Sequence, residues 1–123
     1  MDEVWVFSDG VPVAADAVVS ELRARMDRGV LETWLSSSAG RSLAFVTNGE
    51  RAMVMLLAGE GDPGEHAVDP GADGWSEGFL LANGQHDEYP DEDTVPLAHA
   101  FRIVAHVLAV GSPPPDAPWS VDR

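Results

Sequence analysis

The chain has 123 residues, a length that predicts a single domain spanning 1–123 with one hydrophobic core. Its 21 acidic residues face seven arginines and no lysine, so the formal net charge is −14, which argues against binding to nucleic acids and to anionic membranes. The absence of cysteine excludes disulfides, thiolate metal sites and cysteine nucleophiles.

The location and the partners follow from the same features. No apolar run approaches the roughly 20 residues that a membrane helix needs, so we expect no membrane span. The chain starts MDEVWVF, acidic where a signal peptide is basic, which favours the cytoplasm. A net negative charge permits a basic protein partner, attracted by long-range steering. The sequence leaves the oligomeric state open.

The N-terminal half predicts one helix and four strands. Val18, Leu22 and Met26 recur at helical spacing and place a helix over residues 14–26. Asn48-Gly49 lies between two apolar runs, which is the strongest short-range signal of a β-hairpin. The predicted strands are residues 3–7, 30–38, 42–47 and 51–58.

The C-terminal half begins with a Gly/Pro-rich loop over residues 59–74, in which 66–68 can form a short extended piece. A second hairpin turns at Asn83-Gly84, with strands over 78–82 and 85–89. Residues 95–110 predict a second helix, which Asp93 or Thr94 can cap, and the WSV tail can add a last strand. The pattern predicts an α+β fold, with an antiparallel sheet of about five or six strands packed against two helices.

The stretch NGQHDEYPDEDTVP concentrates five acids within seven residues and raises the question of a metal or catalytic site. His86-Asp87-Glu88 matches the H-x-E fragment of zinc deaminases, but the cysteine ligands of that signature are missing. The acids do not follow a calcium-loop pattern, because Pro90 interrupts their spacing. No nucleophile elbow, phosphate loop or dinucleotide fingerprint occurs. We therefore predict no metal, no cofactor and no catalytic activity.

The last 45 residues resemble the first family of polymorphic-toxin immunity proteins. The resemblance lies in a Gly-rich hairpin, an acidic segment ending in T-V-P, an amphipathic helix ending in Gly, a proline pair and a closing tryptophan. In this chain these are Asn83-Gly84, residues 88–96, residues 97–110 with Gly111, Pro113-Pro114 and Trp119. The tail departs from the usual Trp-Glu ending, since Ser120 follows the tryptophan.

The resemblance implies a protein that binds and neutralises a cognate toxin, often a deaminase acting on nucleic acid. A toxin of that kind needs a basic substrate groove, which an acidic surface can occupy. An exposed tryptophan after the Gly/Asp loop is a candidate anchor, because Trp is enriched at binding hot spots. The predicted toxin-binding residues are Trp75, His86, Asp87, Glu88, Tyr89, Asp91, Glu92 and Asp93.

An alternative stays open at this point. The long loop over residues 59–74 could cover a pocket, which would make the protein a small enzyme or a ligand-binding domain. A well-formed apolar pocket with converging polar groups favours that alternative. A flat or convex acidic face favours the inhibitor.

Overall fold

The computed structural model describes residues 3–122, and this part of the chain forms two helices and ten strands in an α+β arrangement. The helices are α1 (Val18–Asp27) and α2 (Leu97–Val110). The strands are β1 (Trp5–Phe7), β2 (Pro12–Val13), β3 (Glu32–Ser37), β4 (Ser42–Thr47), β5 (Arg51–Leu57), β6 (Glu65–Ala67), β7 (Trp75–Leu80), β8 (His86–Pro90), β9 (Val95–Pro96) and β10 (Trp119–Val121). A single 3₁₀ turn, Asp91–Asp93, separates β8 from β9.

Eight strands form the main antiparallel sheet, in the order β10-β6-β5-β4-β3-β1-β2 with β9 beside β5. The outer edge of β5 is divided between two partners. Its first residues pair with β9, where Ala52 lies opposite Val95, and its last residues pair with β6, where Met55 lies opposite His66. This division brings the segment after the 3₁₀ turn next to β6.

The β4–β5 hairpin turns at Asn48-Gly49, as the sequence predicts. Gly49 adopts a φ of 92°, a conformation that glycine reaches without steric cost. The Asn48 side chain holds the turn, because its Oδ1 accepts the backbone N–H groups of Glu50 and Arg51 at 2.9 and 2.8 Å. The predicted Asn-Gly hairpin is therefore confirmed.

Both helices pack on one face of the main sheet. The rings of Phe45 on β4 and Phe101 on α2 stack with centroids 5.7 Å apart. Val18 and Leu22 bring α1 into the same core, and Trp5 on β1 is only 2% exposed. Burial of these apolar side chains is the main stabilising contribution of the fold.

The opposite face of the sheet carries a second, two-stranded sheet made of β7 and β8. Phe79 of β7 is completely buried, and β7 contacts β4. Burial along β4 shows the effect of this cover, because Leu43 and Phe45 belong to the core under the helices while Ala44 and Val46, which alternate with them, are buried as well. A strand that is apolar on both faces therefore has cover on both.

The predicted fold class is confirmed, but three details of the prediction differ. The main sheet has eight strands rather than five or six. It includes the two-residue strands β2 and β9, which no pattern marks, and both possible strands, β6 and β10, whereas the second hairpin forms a sheet of its own. Helix α1 begins at Val18 rather than residue 14, after a turn in which Ala17 N donates to Ala14 O. Helix α2 begins at Leu97, since Val95 and Pro96 pair with β5.

The expected cap of α2 is also different. Thr94 is extended and buried, and neither it nor Asp93 caps the helix. Within residues 3–122, neither helix combines the length and the apolar character that a membrane crossing requires.

Substitution of Phe101 tests the packing of α2. Phe101→Ala removes one ring of the stacked pair and leaves a cavity, so we expect the free energy of unfolding to fall by about 3–5 kcal/mol, measured by urea denaturation. Val110→Ala, at the 63% exposed end of the same helix, is the control and should change it by less than about 0.5 kcal/mol. Equal effects of the two substitutions would contradict the packing described here.

Candidate functional site

The β7–β8 hairpin has an inner face toward the main sheet and an outer face toward solvent. The strand register changes between Ser76 and Phe79, because one extra residue bulges out of β7. Gly78 at the bulge has a φ of 90°, which favours glycine. The register places Ser76, Phe79, Asp87 and Tyr89 on the inner face, and Trp75, Leu80, His86 and Glu88 on the outer face.

The inner face holds two of the predicted binding residues. The Tyr89 ring meets the buried Phe79 ring edge-on, with centroids 4.9 Å apart. The Tyr89 hydroxyl donates to Asp87 Oδ2 at 3.2 Å, and Gln85 Nε2 donates to Asp87 Oδ1 at 2.8 Å. Burial, then the nearby charge of Asp87, raises the pKa of the Tyr89 phenol, so this hydroxyl stays protonated at neutral pH.

The outer face holds the exposed members of the predicted set. Trp75 is 65% exposed, the largest exposed fraction among the large apolar side chains of residues 3–122. His86 and Glu88 are exposed on the same face of β8, with His86 opposite Leu80 at the other end of the ladder from Trp75, and Glu77 is exposed at the bulge. An open groove of about 560 Å³ lies beside the bulge; it is lined by Glu77, Gly78, His86 and Glu88 and reaches Asp87 of the inner face, but not Trp75.

The 3₁₀ turn divides its three acids. Asp91 is held inside the molecule, because Ser76 Oγ donates to its Oδ1 and its backbone N–H donates to Gly74 O at 3.0 Å. Asp93 binds His66 on β6. The Glu92 side chain is exposed.

Arg51, the first residue of β5, holds this turn against the main sheet. Its Nε donates to Thr94 Oγ1 at 2.7 Å, and one terminal nitrogen donates to Asp69 Oδ2 at 2.6 Å. The same nitrogen also reaches the backbone carbonyls of Asp91 and Thr94 at 3.2 and 3.1 Å. One guanidinium thus joins β5, the loop before β7 and the segment between β8 and β9.

His66 forms a second clasp, between two carboxylates from distant parts of the chain. Its Nδ1 lies 2.7 Å from Asp122 Oδ2 and its Nε2 lies 3.0 Å from Asp93 Oδ1. Burial works to lower the pKa of the imidazole, but the two carboxylates outweigh burial and the pKa is raised. The imidazolium form satisfies both carboxylates, because only then do both ring nitrogens donate.

The predicted site residues therefore separate into two groups. Asp87, Tyr89, Asp91 and Asp93 make contacts within the protein, whereas Trp75, His86, Glu88 and Glu92 are exposed. Sequence reasoning missed Glu77, Arg51 and His66. The sequence did contain a signal for Arg51, because it is the one charged residue at the start of an otherwise apolar strand. It contained no signal that His66, within a Gly/Pro-rich loop, binds two carboxylates.

The structure also bears on metal ligands and on a cavity beside the 59–74 loop. Within 3–122, no group of three or more His, Cys, Asp or Glu residues could hold a metal ion. A cavity of about 310 Å³ lies beside the 59–74 loop and is lined by Val68, Pro70, Glu92, Asp93 and Ser120. That volume is at the lower end of the range for ligand pockets, roughly 300–1,000 Å³. The ligand-binding alternative stays a prediction.

The comparisons with known proteins add no relative. No protein-family model matches the chain. No curated protein matches it either. The resemblance to immunity proteins therefore rests on the motifs of the C-terminal segment.

The Arg51 network can be tested by removing its donor. Arg51→Met keeps the apolar stem but leaves the Asp69 carboxylate and two carbonyls without this partner, so we expect a loss of about 2 kcal/mol in the free energy of unfolding. Hydrogen exchange should also quicken in the 3₁₀ turn.

Arg102→Met is the matched control for this change. Arg102 pairs with Asp116 on the surface, where both side chains are largely exposed, and such pairs contribute about 0–1 kcal/mol. A loss no larger for Arg51→Met than for Arg102→Met would contradict a central role for Arg51.

The His66 clasp predicts a pH dependence of stability. A raised pKa means that the folded state binds the proton more tightly than the unfolded state. The stabilisation is therefore complete below the ordinary histidine pKa of about 6.5 and is lost as the pH rises through the raised pKa of the folded state. Wild type and His66→Asn should differ most near pH 5.5 and converge above neutrality, measured as urea midpoints across that range of pH.

Asp122→Asn is the companion variant, because it removes one of the two carboxylates and should reduce the pH dependence without abolishing it. A stability difference between wild type and His66→Asn that stays constant with pH would refute the clasp.

Proposed function

We propose that the protein is an immunity protein that binds a basic bacterial toxin and neutralises it, the toxin being one that acts on nucleic acid, for example a deaminase. The observation that carries the proposal is the outer face of the β7–β8 hairpin, where exposed Trp75 stands among exposed acids. The motif resemblance of the C-terminal segment supports the same function.

The charge of the chain suits such a partner. With 21 acids against seven arginines, the protein attracts a basic surface over long distances. Opposite fields raise association rates toward about 10⁸ M⁻¹s⁻¹ at low salt, against about 10⁵–10⁶ M⁻¹s⁻¹ without steering. A toxin groove that binds phosphates presents the complementary charge. Fast capture is useful because a toxin must be bound before it acts.

The hairpin also supplies an anchor. Large aromatic side chains in the centre of an interface contribute much of the binding energy once they are desolvated. Trp75 lies opposite Pro90 on β8, and the adjacent Gly74 carbonyl accepts the Asp91 N–H, so the backbone on both sides of the tryptophan is held. A held backbone lowers the entropy lost on binding.

The geometry favours binding over catalysis in this region. The Tyr89 hydroxyl, a candidate acid or base, is committed to Asp87 on the inner face. Asp91 and Asp93 are committed to Ser76 and His66. The groups left exposed, Glu77, His86 and Glu88, line an open groove rather than a closed cavity. Exposed carboxylates in water suit charge complementarity, whereas acid–base catalysis needs a shifted pKa in a dry site.

Charge reversal on the outer face tests the proposal. The proposed function predicts a toxin domain encoded beside this gene. Glu77→Lys with Glu88→Lys should weaken binding to that domain by at least about tenfold and reduce its salt dependence, because the reversed charges repel a basic partner. Titration calorimetry at two salt concentrations measures both effects.

The control is Asp16→Lys with Glu21→Lys, two exposed acids just before and within the first turn of α1. This variant changes the net charge by the same amount on a different element. The outer-face assignment would be wrong if both double variants weakened binding equally, and the immunity function would be wrong if the wild-type protein left the toxin active.

A further inference from the structure

A groove of about 320 Å³ lies where the tip of the β7–β8 hairpin meets the start of β3. Its walls are mainly aliphatic, with Val30 and Leu31 on one side and Leu80, Leu81 and Ala82 on the other. Val30 is 39% exposed, so apolar surface is open to solvent here. The toxin-binding residues predicted from the sequence do not include this groove.

Glu32 is the one charged residue among those that line the groove. Its Oε1 accepts the backbone N–H of Ala82 at 2.8 Å, and its Oε2 accepts Trp34 Nε1 at 2.8 Å. Both oxygens are thus fixed in place, one toward the hairpin tip and one toward the indole. A carboxylate offers about four acceptor positions, so positions remain for a further donor.

Trp34 lies beside that carboxylate, outside the residues that line the groove, and brings an aromatic ring next to it. Its side chain is 38% exposed, and its N–H bond to Glu32 fixes the orientation of the indole. The face of an indole attracts a cation placed within about 6 Å of the ring centre.

We infer that this groove receives an arginine side chain of the basic partner, an inference that rests on the proposed function. The aliphatic stem of the arginine lies along Leu31, Leu80 and Leu81, and its guanidinium pairs with Glu32 over the Trp34 ring. Lysine suits the site less well, because a compact ammonium neither stacks on an indole nor forms a fork with a carboxylate. An uncharged aliphatic side chain leaves Glu32 without a counter-charge.

The groove can be tested without the toxin. The probes are N-acetyl-arginine amide, its neutral analogue N-acetyl-citrulline amide and N-acetyl-norleucine amide, each titrated to millimolar concentration into isotope-labelled wild-type protein. We expect the arginine probe to shift the NMR signals of the Trp34 indole N–H and the Ala82 amide, with citrulline and norleucine giving less than about one tenth of that shift. The same arginine titration into Glu32→Gln, which keeps an acceptor for Ala82 N–H, should give no saturable shift.

Three results would overturn the inference. They are equal shifts with norleucine, no shift with any probe, and signals that broaden with protein concentration alone, which would mark the groove as a contact between two copies. Each of these leaves the immunity function standing.

The second arm uses the toxin domain encoded beside this gene. Glu32→Gln and Trp34→Leu should each weaken its binding by about tenfold, with Glu21→Gln as the charge-matched control. Normal toxin binding by both groove variants would overturn the groove as a partner site. A saturating arginine probe together with a toxin that the wild-type protein does not bind would reject the immunity function and retain the cation site.

Discussion

The guanidinium of Arg51 is the interaction on which the arrangement of the acidic segment depends. In a chain of net charge −14, this cation lies where the Asp69 carboxylate, the Thr94 hydroxyl and two backbone carbonyls converge. Acceptors that converge without a donor cost about 1–3 kcal/mol each when they are buried. Because Arg51 is the first residue of the strand beside β9, its contacts set the position of the 3₁₀ turn, and the turn sets where β8 ends. Asp69, Asp91 and Asp93 make contacts that hold this region together, whereas Glu88 and Glu92 remain exposed.

The contrast between local signals and contacts between distant residues explains which features the sequence could predict. The Asn-Gly turns, the apolar run of β5 and the spacing of α2 are local signals, and the structure agrees with them. The pairing of β9 with β5 is not local, since Ala52 and Val95 are distant in the chain. In addition, β9 is only two residues long. The single-residue bulge in β7 decides which acids face inward, and one glycine at its site was the only mark of it. The sequence showed that acidic residues cluster in this segment, but it did not show which carboxylates face inward and which face solvent.

The hairpin also serves the stability of the fold. Phe79 and Tyr89 cover part of the sheet face opposite the helices, where β7 contacts β4 and where Ala44 and Val46 are buried. Two polar contacts fix it at separate points: Asn48 Nδ2 donates to Glu77 O at 2.9 Å, and Glu32 accepts the Ala82 N–H at the tip. A surface that is attached along its length moves little relative to the core. In the proposed function, the same hairpin that completes the core on one side meets the partner on the other.

The two ends of the hairpin are chemically different, and this difference has a consequence for recognition. Near the 3₁₀ turn, exposed Trp75 stands beside acids that are open to water, so their attraction for a partner acts at long range and weakens with salt. At the tip, Glu32 is half-buried, holds two hydrogen bonds and lies against aliphatic walls. A charge pair formed there is sheltered from salt and affects dissociation more than association. In the proposed function, the exposed acids on the outer face of the hairpin raise the rate at which a basic partner associates, and Glu32 at the tip lowers the rate at which it dissociates.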